Sequence, residues 1–582
     1  MIVLGLNAFH PDSAAALVID GEVVAAAEEE RFRRVKHWAG FPSEAIRFCL
    51  DFAGVPVEAL DVVAVNTHPR AAMLRRAAHA LRYPPSRTLV LEKLRNRRRR
   101  GSALSLLKNA FSKARLRARL VHVPHHTAHL ASAFFVSPFE HAQAVSVDGF
   151  GDFASAAWGV GRGTTLEIHG HVYFPHSLGA FYQSMTQYLG FPAYGDEYKV
   201  MGLAPYGEPT FLEPLRRVVR TRSDGRFMLA LEYFRFHRER IAYEWDNASP
   251  TFEPMFSAAL EGLLGPAREP GEEITQRHKD IAHSVQAVYE EAFLHLLRTL
   301  QATSGETAVV LGGGCAQNSV ANGKIATSTP YRDVYVAAAG YDAGGALGAA
   351  LTVDVAHSGR RPAPMNHAFL GPKASEGSIA ALLNGLSGEL ASSECQVERL
   401  PAEMVCETTA SRIARGEVVG WFQGRMEWGP RALGARSILC DPRRADMKAL
   451  LNRKIKRRES FRPFAPSVLR DHVAAWFELD ADVPFMSQVF PIRAEKRALI
   501  PAVTHVDGSG RLQTVTPFAS PRYHAVISAF HRMTGVPMVL NTSFNESEPI
   551  VCRPEEAVAC FLRTNMDVLV IEDWMLARTP RE

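Results

Sequence analysis

Cysteine is scarce: seven in 582 residues, odd in number and with no CxxC pair. That excludes a disulfide framework and a zinc knuckle, and it fits a chain kept in a reducing cytoplasm. No apolar run approaches the roughly 18 residues that a bilayer-crossing helix needs, so no membrane partner is expected. The start, MIVLGLNAFHPDS, lacks a positively charged leader, and Asn7, His10 and Asp12 break its apolar run, so it reads as neither signal peptide nor anchor. The spacing GxxxxGK(S/T) is missing, which excludes a P-loop. Acids are almost absent from residues 70 to 119, where sixteen Lys or Arg face only Glu92, a local charge of +15. With a net charge of +5, the remainder carries −10. The run Arg97-Arg98-Arg99-Arg100 could attract nucleic acid, but it lacks the interleaved aromatics of a base-stacking surface and reads as a solvated lobe.

What is present describes a soluble globular chain, 47% hydrophobic and 22% charged, long enough for two to four domains at about 150 residues each. Ile2 to Leu6, Ala14 to Ile19 and Glu22 to Ala27 read as strands, with Asp20-Gly21 as a hairpin turn. The pattern recurs at Ala142 to Val147, Ala154 to Val160 and Thr165 to Val172, across the turn Asp148-Gly149-Phe150-Gly151-Asp152. Two such copies predict a duplicated α/β unit. Ala308 to Leu311 and Val334 to Ala339 each run into a glycine-rich turn and then a helix, an arrangement that offers backbone N–H groups to a phosphate. His357 to Pro364 reads as a linker. Beyond it, helices near 373 to 387 and 402 to 415 alternate with strands Val418 to Phe422, Met538 to Leu540 and Val568 to Ile571, a second α/β domain.

Two constellations carry chemistry. His125 and His129 stand at i and i+4, on one helical face, and Asp148, Asp152 and Asp342 sit in turns that can approach the same point. Two imidazoles with one or two carboxylates suit Fe²⁺, Mn²⁺ or Zn²⁺. In the C-terminal half, Arg425, Arg431 and Arg436 fall within twelve residues interrupted by Gly429-Pro430, followed by Lys454, Lys456, Arg457, Arg458 and Arg462, and by Asn541-Thr542-Ser543-Phe544-Asn545. Arginine forks bind phosphate or carboxylate bidentately, and a Ser-x-Asn turn adds donors.

These segments together resemble the O-carbamoyltransferases that include the Nod-factor, cephamycin and tobramycin enzymes. The motifs are Ser13 to Val18, Glu28-Glu29-Glu30-Arg31-Phe32, Lys36-His37, the histidines at 125 to 129, Asp148 to Asp152, Gly195 to Gly207, Gly424 to Leu439, Phe461 to Pro466, His505-Val506-Asp507 and Asn541 to Asn545. The resemblance implies a Kae1-like domain of duplicated actin/sugar-kinase ATPase fold at 1–356, a linker at 357–367 and a YrdC-like α/β domain at 368–582. It also implies an ATP-dependent O-carbamoyltransferase of antibiotic or other secondary metabolite biosynthesis. In that chemistry the second domain uses ATP (with Mg²⁺) and carbamoyl phosphate to form carbamoyl adenylate, and the first transfers the carbamoyl group to a hydroxyl of a small metabolite or sugar. The implied iron ligands are His125, His129, Asp148 and Asp342. His10 and Lys36 fall at the transfer site, with His10 as candidate base. Arg431, Arg436, Lys456, Arg462, Ser543 and Asn545 are implied for carbamoyl phosphate and the nucleotide phosphates, and Gly149, Gly151, Gly313, Gly314, Asn318 and Arg425 for cofactor contacts. The expected partners are the hydroxyl acceptor and, at most, a second copy of the chain, with nucleic acid disfavoured. The acceptor pocket is expected from loops at 70 to 120 and 205 to 275. Competing readings are a sugar kinase or ATPase of the same superfamily and, ranked lower, a tRNA-modifying carbamoyl-adenylate enzyme.

Overall fold

The computed structural model describes residues 1–83, 103–111, 116–241, 243–244, 250–456 and 458–579. The run Arg97 to Arg100, Arg457 and the side chain of Lys454 lie outside the described residues. The chain divides into two units, Met1–Met365 and Asn366–Glu582. No helix among the described residues is long and apolar enough to cross a membrane.

The first unit holds two sheets of the same design. In one, β1 (Ile2–Asn7), β2 (Ala14–Ile19) and β3 (Glu22–Glu28) form an antiparallel meander, and β4 (Val62–Val65) and β5 (Arg119–His122) extend it in parallel, in the order β3-β2-β1-β4-β5. The other meander is β6 (His141–Gly151), β7 (Ala154–Arg162) and β8 (Thr165–Tyr173). Two short ribbons intervene in sequence, β9 (Val219–Thr221) with β10 (Phe227–Leu229), and β11 (Tyr243–Glu244) with β12 (Thr251–Phe252). Then β13 (Ala308–Gly312) and β14 (Asp333–Val336) join β6 in parallel, giving the order β14-β13-β6-β7-β8. The duplication read from the two strand-turn-strand patterns is therefore present in strand order and in strand sense. The central strands β1, β4, β6 and β13 are buried along nearly their whole length, which is why they read as continuous apolar runs rather than as alternating ones.

Helices His125–Phe134 and Gly344–Ser358 cross closely in this unit. A Cβ on Gly348 would lie 1.7 Å from the Ala128 carbonyl oxygen, so only glycine permits the approach. Residues 357 to 365 stay with the first unit. The second helix runs through Ser358, and the Arg361 guanidinium donates to the carbonyls of Phe134, Phe135, Ser137 and Phe139.

The second unit is one nine-stranded mixed sheet ordered β15-β23-β22-β16-β17-β21-β18-β20-β19. Its strands are β15 (Cys395–Arg399), β16 (Val419–Phe422), β17 (Arg436–Cys440), β18 (Ala465–Leu469), β19 (Gln488–Pro491), β20 (Ser509–Val515), β21 (Met538–Ser543), β22 (Val568–Ile571) and β23 (Trp574–Arg578). Helices Ala402–Ala414, Pro521–Thr534 and Pro554–Arg563 contribute Ile413, Phe530 and Phe561 to a core centred on Trp421, Phe422 and Leu540. The mixed α/β class holds for both units.

Candidate functional site

His125 and His129 begin a helix whose first turn has no intrahelical acceptors for its N–H groups. Asp152 supplies one: its Oδ2 accepts from the backbone N–H of His125 at 2.9 Å and also from that of His68 at 2.9 Å. Of the three carboxylates that could have approached the histidines, Asp152 is thus spent on capping. Asp148, from β6, and Asp342, from the turn before helix Gly344–Ser358, face the imidazoles instead. His125 Nε2 lies 3.0 Å from Asp148 Oδ2 and 3.5 Å from Asp342 Oδ1, and His129 Nε2 lies 3.3 and 3.4 Å from the same two oxygens. Gly314 N–H holds the other Asp148 oxygen at 2.9 Å, so Oδ2 points to the cluster. Gly151 has to be glycine, because a Cβ there would lie 2.0 Å from the His125 ring.

The donor set fits a divalent cation. The two Nε2 atoms meet at 3.0 Å, and one ligand atom from each of the four residues falls within 4.8 Å of the others. The buried Asp342 Oδ1 accepts no hydrogen bond among the described residues. Nitrogen and oxygen donors without sulfur suit Fe²⁺, Mn²⁺ or Zn²⁺. Burial disfavours a charge on His129, but the carboxylates of Asp148 and Asp342 outweigh it and raise its pKa to about 9. Asp148, although buried, is held well below the usual carboxylate range by the two histidines.

The remaining first-unit candidates divide. His10 is partly exposed, with its ring centroid 5.8 Å from that of His125. Lys36 is half-buried and lies within electrostatic reach of Glu30 and His37. Gly149 faces open space. Gly313 adopts φ +85, where a Cβ would meet the Val147 carbonyl at 2.3 Å. Asn318 is committed to the protein: its side chain caps helix Ser319–Gly323 through Ala321 N–H and exchanges two 3.0 Å hydrogen bonds with Gln286.

A second cluster beside this one joins the Glu28 to Phe32 and Lys36-His37 motifs to Asp12, which sequence reasoning did not place with them. His37 Nδ1 lies 2.7 Å from Asp12 Oδ1, and its backbone N–H donates to Glu30 Oε2 at 2.9 Å. Burial opposes a charge on His37, yet Asp12 and Glu30 raise its pKa to about 9. Tyr341, next to Asp342, donates to Glu28 Oε1 at 2.6 Å, and Arg31 Nε pairs with Glu28 at 2.9 Å. The only sequence signal for this network was the acidic run Glu28-Glu29-Glu30 ahead of Lys36-His37.

In the second unit, Glu427 shapes the arginine segment: its Oε1 accepts from the N–H groups of Leu433, Ala435 and Arg436 at 2.7, 2.7 and 3.1 Å. The segment stays out of helical form, as Gly429-Pro430 suggested. Arg436 is fully buried over the Phe422 ring at 3.6 Å, and its two terminal nitrogens donate to the carbonyls of Gln423, Ala435, Pro372 and Gly424. Arg425 likewise reaches the carbonyls of Leu370 and Gly371. Lys456 Nζ donates to the Ser543 carbonyl and to the carbonyl and side-chain oxygens of Asn545, both at 2.8 Å, while Ser543 Oγ donates to Asn545 Oδ1 at 2.8 Å. These three side chains form one closed polar knot.

Arg431 and Arg462 belong to a different grouping, with Arg458 and with Arg511 on β20, a residue that sequence reasoning missed. Burial first, and then the neighbouring charges of Arg431, Arg458 and Arg462, hold the Arg511 pKa well below its ordinary value. Arg511 Nε has no hydrogen-bond partner among the described residues. His505, from the 505–507 motif, is pushed down to about 4 by burial and by Arg511. Guanidiniums gathered at such a cost mark a place for an anion.

The chain is 39% identical to the Synechocystis protein sll1178 over 99% of this chain and 97% of that one. It is 39% identical to nodulation protein NolNO of Sinorhizobium fredii, over 98% of this chain and 80% of the relative. It is 31% identical to the 3'-hydroxymethylcephem-O-carbamoyltransferase of Streptomyces clavuligerus, over 46% of this chain and 48% of that enzyme. Among solved structures, HypF of T. kodakarensis superposes at a TM-score of 0.31 and 14% identity, covering 62% of this chain and 48% of that one. With residues 2–351 matching the carbamoyltransferase N-terminus and 410–578 the carbamoyltransferase C-terminus, the chain belongs to the carbamoyltransferase family of transferase enzymes.

Proposed function

We propose that the chain is an ATP-dependent O-carbamoyltransferase working in two half-reactions. In the second unit, read as YrdC-like, carbamoyl phosphate loses phosphate to water, and the resulting carbamate attacks the α-phosphorus of ATP to give carbamoyl adenylate and pyrophosphate. In the first unit, read as actin/sugar-kinase-like, an acceptor hydroxyl displaces AMP from the carbamoyl carbon. The single observation behind this reading is the pairing, within one family match, of an arginine grouping around Arg511 with a four-ligand cluster around His125. Arg431, Arg462 and Arg511 would neutralise phosphate charge that builds up as pyrophosphate leaves. Bound at His125, His129, Asp148 and Asp342, a divalent ion, read here as Fe²⁺, would supply a Lewis acid that polarises an oxygen of the transferring group. His10 would take the proton of the acceptor hydroxyl, because a neutral alcohol is a poor nucleophile at pH 7.

The test is pyrophosphate release by the purified full chain with ATP and Mg²⁺. Release that depends on carbamoyl phosphate is expected, and its absence overturns the reading. Accumulation of ADP instead of AMP in the presence of an acceptor would favour a sugar kinase, the alternative that the duplicated sheets alone would allow.

A further inference from the structure

Beside the metal-ligand cluster the first unit carries an aromatic shelf that the carbamoyl chemistry above does not use. Phe150 lies two residues beyond the ligand Asp148, and Phe153 directly follows the capping Asp152. Their rings pack with those of Phe174 and Phe236 at centroid distances of 5.0 Å (Phe150–Phe174), 5.7 Å (Phe150–Phe236) and 5.1 Å (Phe153–Phe174). All four rings remain partly exposed. A contiguous apolar patch kept open to solvent marks a binding surface rather than core.

Cations and a polar group surround it. Helix Met73–Arg82 has no buried residue and meets the shelf through His79, 4.8 Å from Phe174. From the same helix Arg75 lies 4.0 Å over Tyr173 and Arg76 5.7 Å over Phe153, while Arg238 lies 5.5 Å over Tyr83. None of these three arginines has an ion pair among the described residues. A guanidinium held by an aromatic face is positioned without being neutralised, so its charge remains available. His237, 5% exposed and edge-on to Tyr83, has no hydrogen bond at either ring nitrogen among the described residues. A buried imidazole with both nitrogens unsatisfied calls for a polar partner.

We propose that this shelf is the acceptor subsite, and that the acceptor is a ring-bearing hydroxyl compound with an anionic substituent. The inference rests on the carbamoyl-transfer reading for the word acceptor. The ring lies on the phenylalanine faces, the anionic group is met by Arg75, Arg76 and Arg238, and the continuity of Phe150 with Asp148 brings a hydroxyl toward the ligand cluster. The segments meeting here, 73 to 83 and 234 to 238, lie within the two loop regions expected to shape the acceptor pocket.

The test uses the full chain without ATP or carbamoyl phosphate and compares binding of phenyl β-D-glucuronide with phenyl β-D-glucoside, which share the phenyl ring and the secondary hydroxyls and differ at C6, a carboxylate against a hydroxymethyl group. The glucuronide is expected to bind about tenfold more tightly at low salt. In the double variant Arg75→Ala/Arg76→Ala that preference should fall below about twofold, with the melting temperature serving as the check on folding. Phe174→Leu should weaken both probes. Equal binding of the two probes, no detectable binding of either, or a preference that survives the double variant overturns the proposal. Because no adenylate forms in this experiment, a failure of pyrophosphate release overturns the function proposed above and leaves this binding result standing.

Discussion

In the first unit two imidazoles and two carboxylates converge on a point that a cation would satisfy, whereas in the second four guanidiniums gather around β20 where an anion would. Each unit concentrates charge of one sign at the expense of burial, acidic in the first and basic in the second. On the function proposed above, this difference would divide the labour, with electrophile activation by a bound divalent ion in the first unit and phosphate neutralisation in the second. Arg436, Arg425 and Lys456 donate to protein carbonyls, and Arg436 and Arg511 each keep a buried Nε without a partner among the described residues; what sets Arg511 apart is the neighbouring charge of Arg431, Arg458 and Arg462.

The strongest way to break this contrast is to remove a ligand from one side only. His125→Ala should abolish bound metal, seen by elemental analysis, and lower carbamoyl transfer by at least about 100-fold while pyrophosphate release persists. If both half-reactions fall together in a folded protein, the division is wrong. Next, Arg511→Met should lower carbamoyl phosphate-dependent pyrophosphate release by about 100-fold and leave metal content unchanged. Normal release in that variant would remove Arg511 from the anion site. A titration sharpens the first side. With its pKa raised to about 9, His129 is protonated in the metal-free chain at neutral pH and must lose that proton to bind metal. Metal affinity should therefore rise by about tenfold per pH unit from pH 7 toward 9, then level off, as competition with a chelator would show. A pH-independent affinity would contradict this. The smallest effect belongs to the cap: Asp152→Ala should cost about 1 kcal/mol of stability in denaturant melts, with a modest loss of metal affinity. Unchanged stability would show that the His125 N–H finds another acceptor.

Much of this was legible before folding. The i, i+4 histidines, the duplicated strand-turn-strand pattern and the Gly-Pro-interrupted arginines are local signals, and each appears where it was read. From residue type and spacing alone Asp152 could not be told from Asp148, since both flank the same glycine turn; only the family resemblance picked out Asp148. What separates them is the left-handed backbone at Asp152 and Phe153, which turns one carboxylate toward the helix start and leaves the other on the ligand side. Arg511 was invisible for another reason: it is a lone cation on its strand, far in sequence from Arg431, and the pairing of β18 with β20 helps bring the regions near it together. The boundary between the units, after Met365, lies within the stretch 357–367, and Arg361 in that stretch is tied to the first unit through four backbone acceptors that its sequence context does not reveal.

By itself, then, the sequence determined the types of chemistry available: imidazole with carboxylate in one half, guanidinium in the other, and a repeated scaffold under the first. Only the tertiary structure decided which members of each set face one another. Ligand type is carried by single side chains, whereas convergence depends on helix crossings and strand order, such as the Gly348–Ala128 contact, that join residues more than two hundred positions apart.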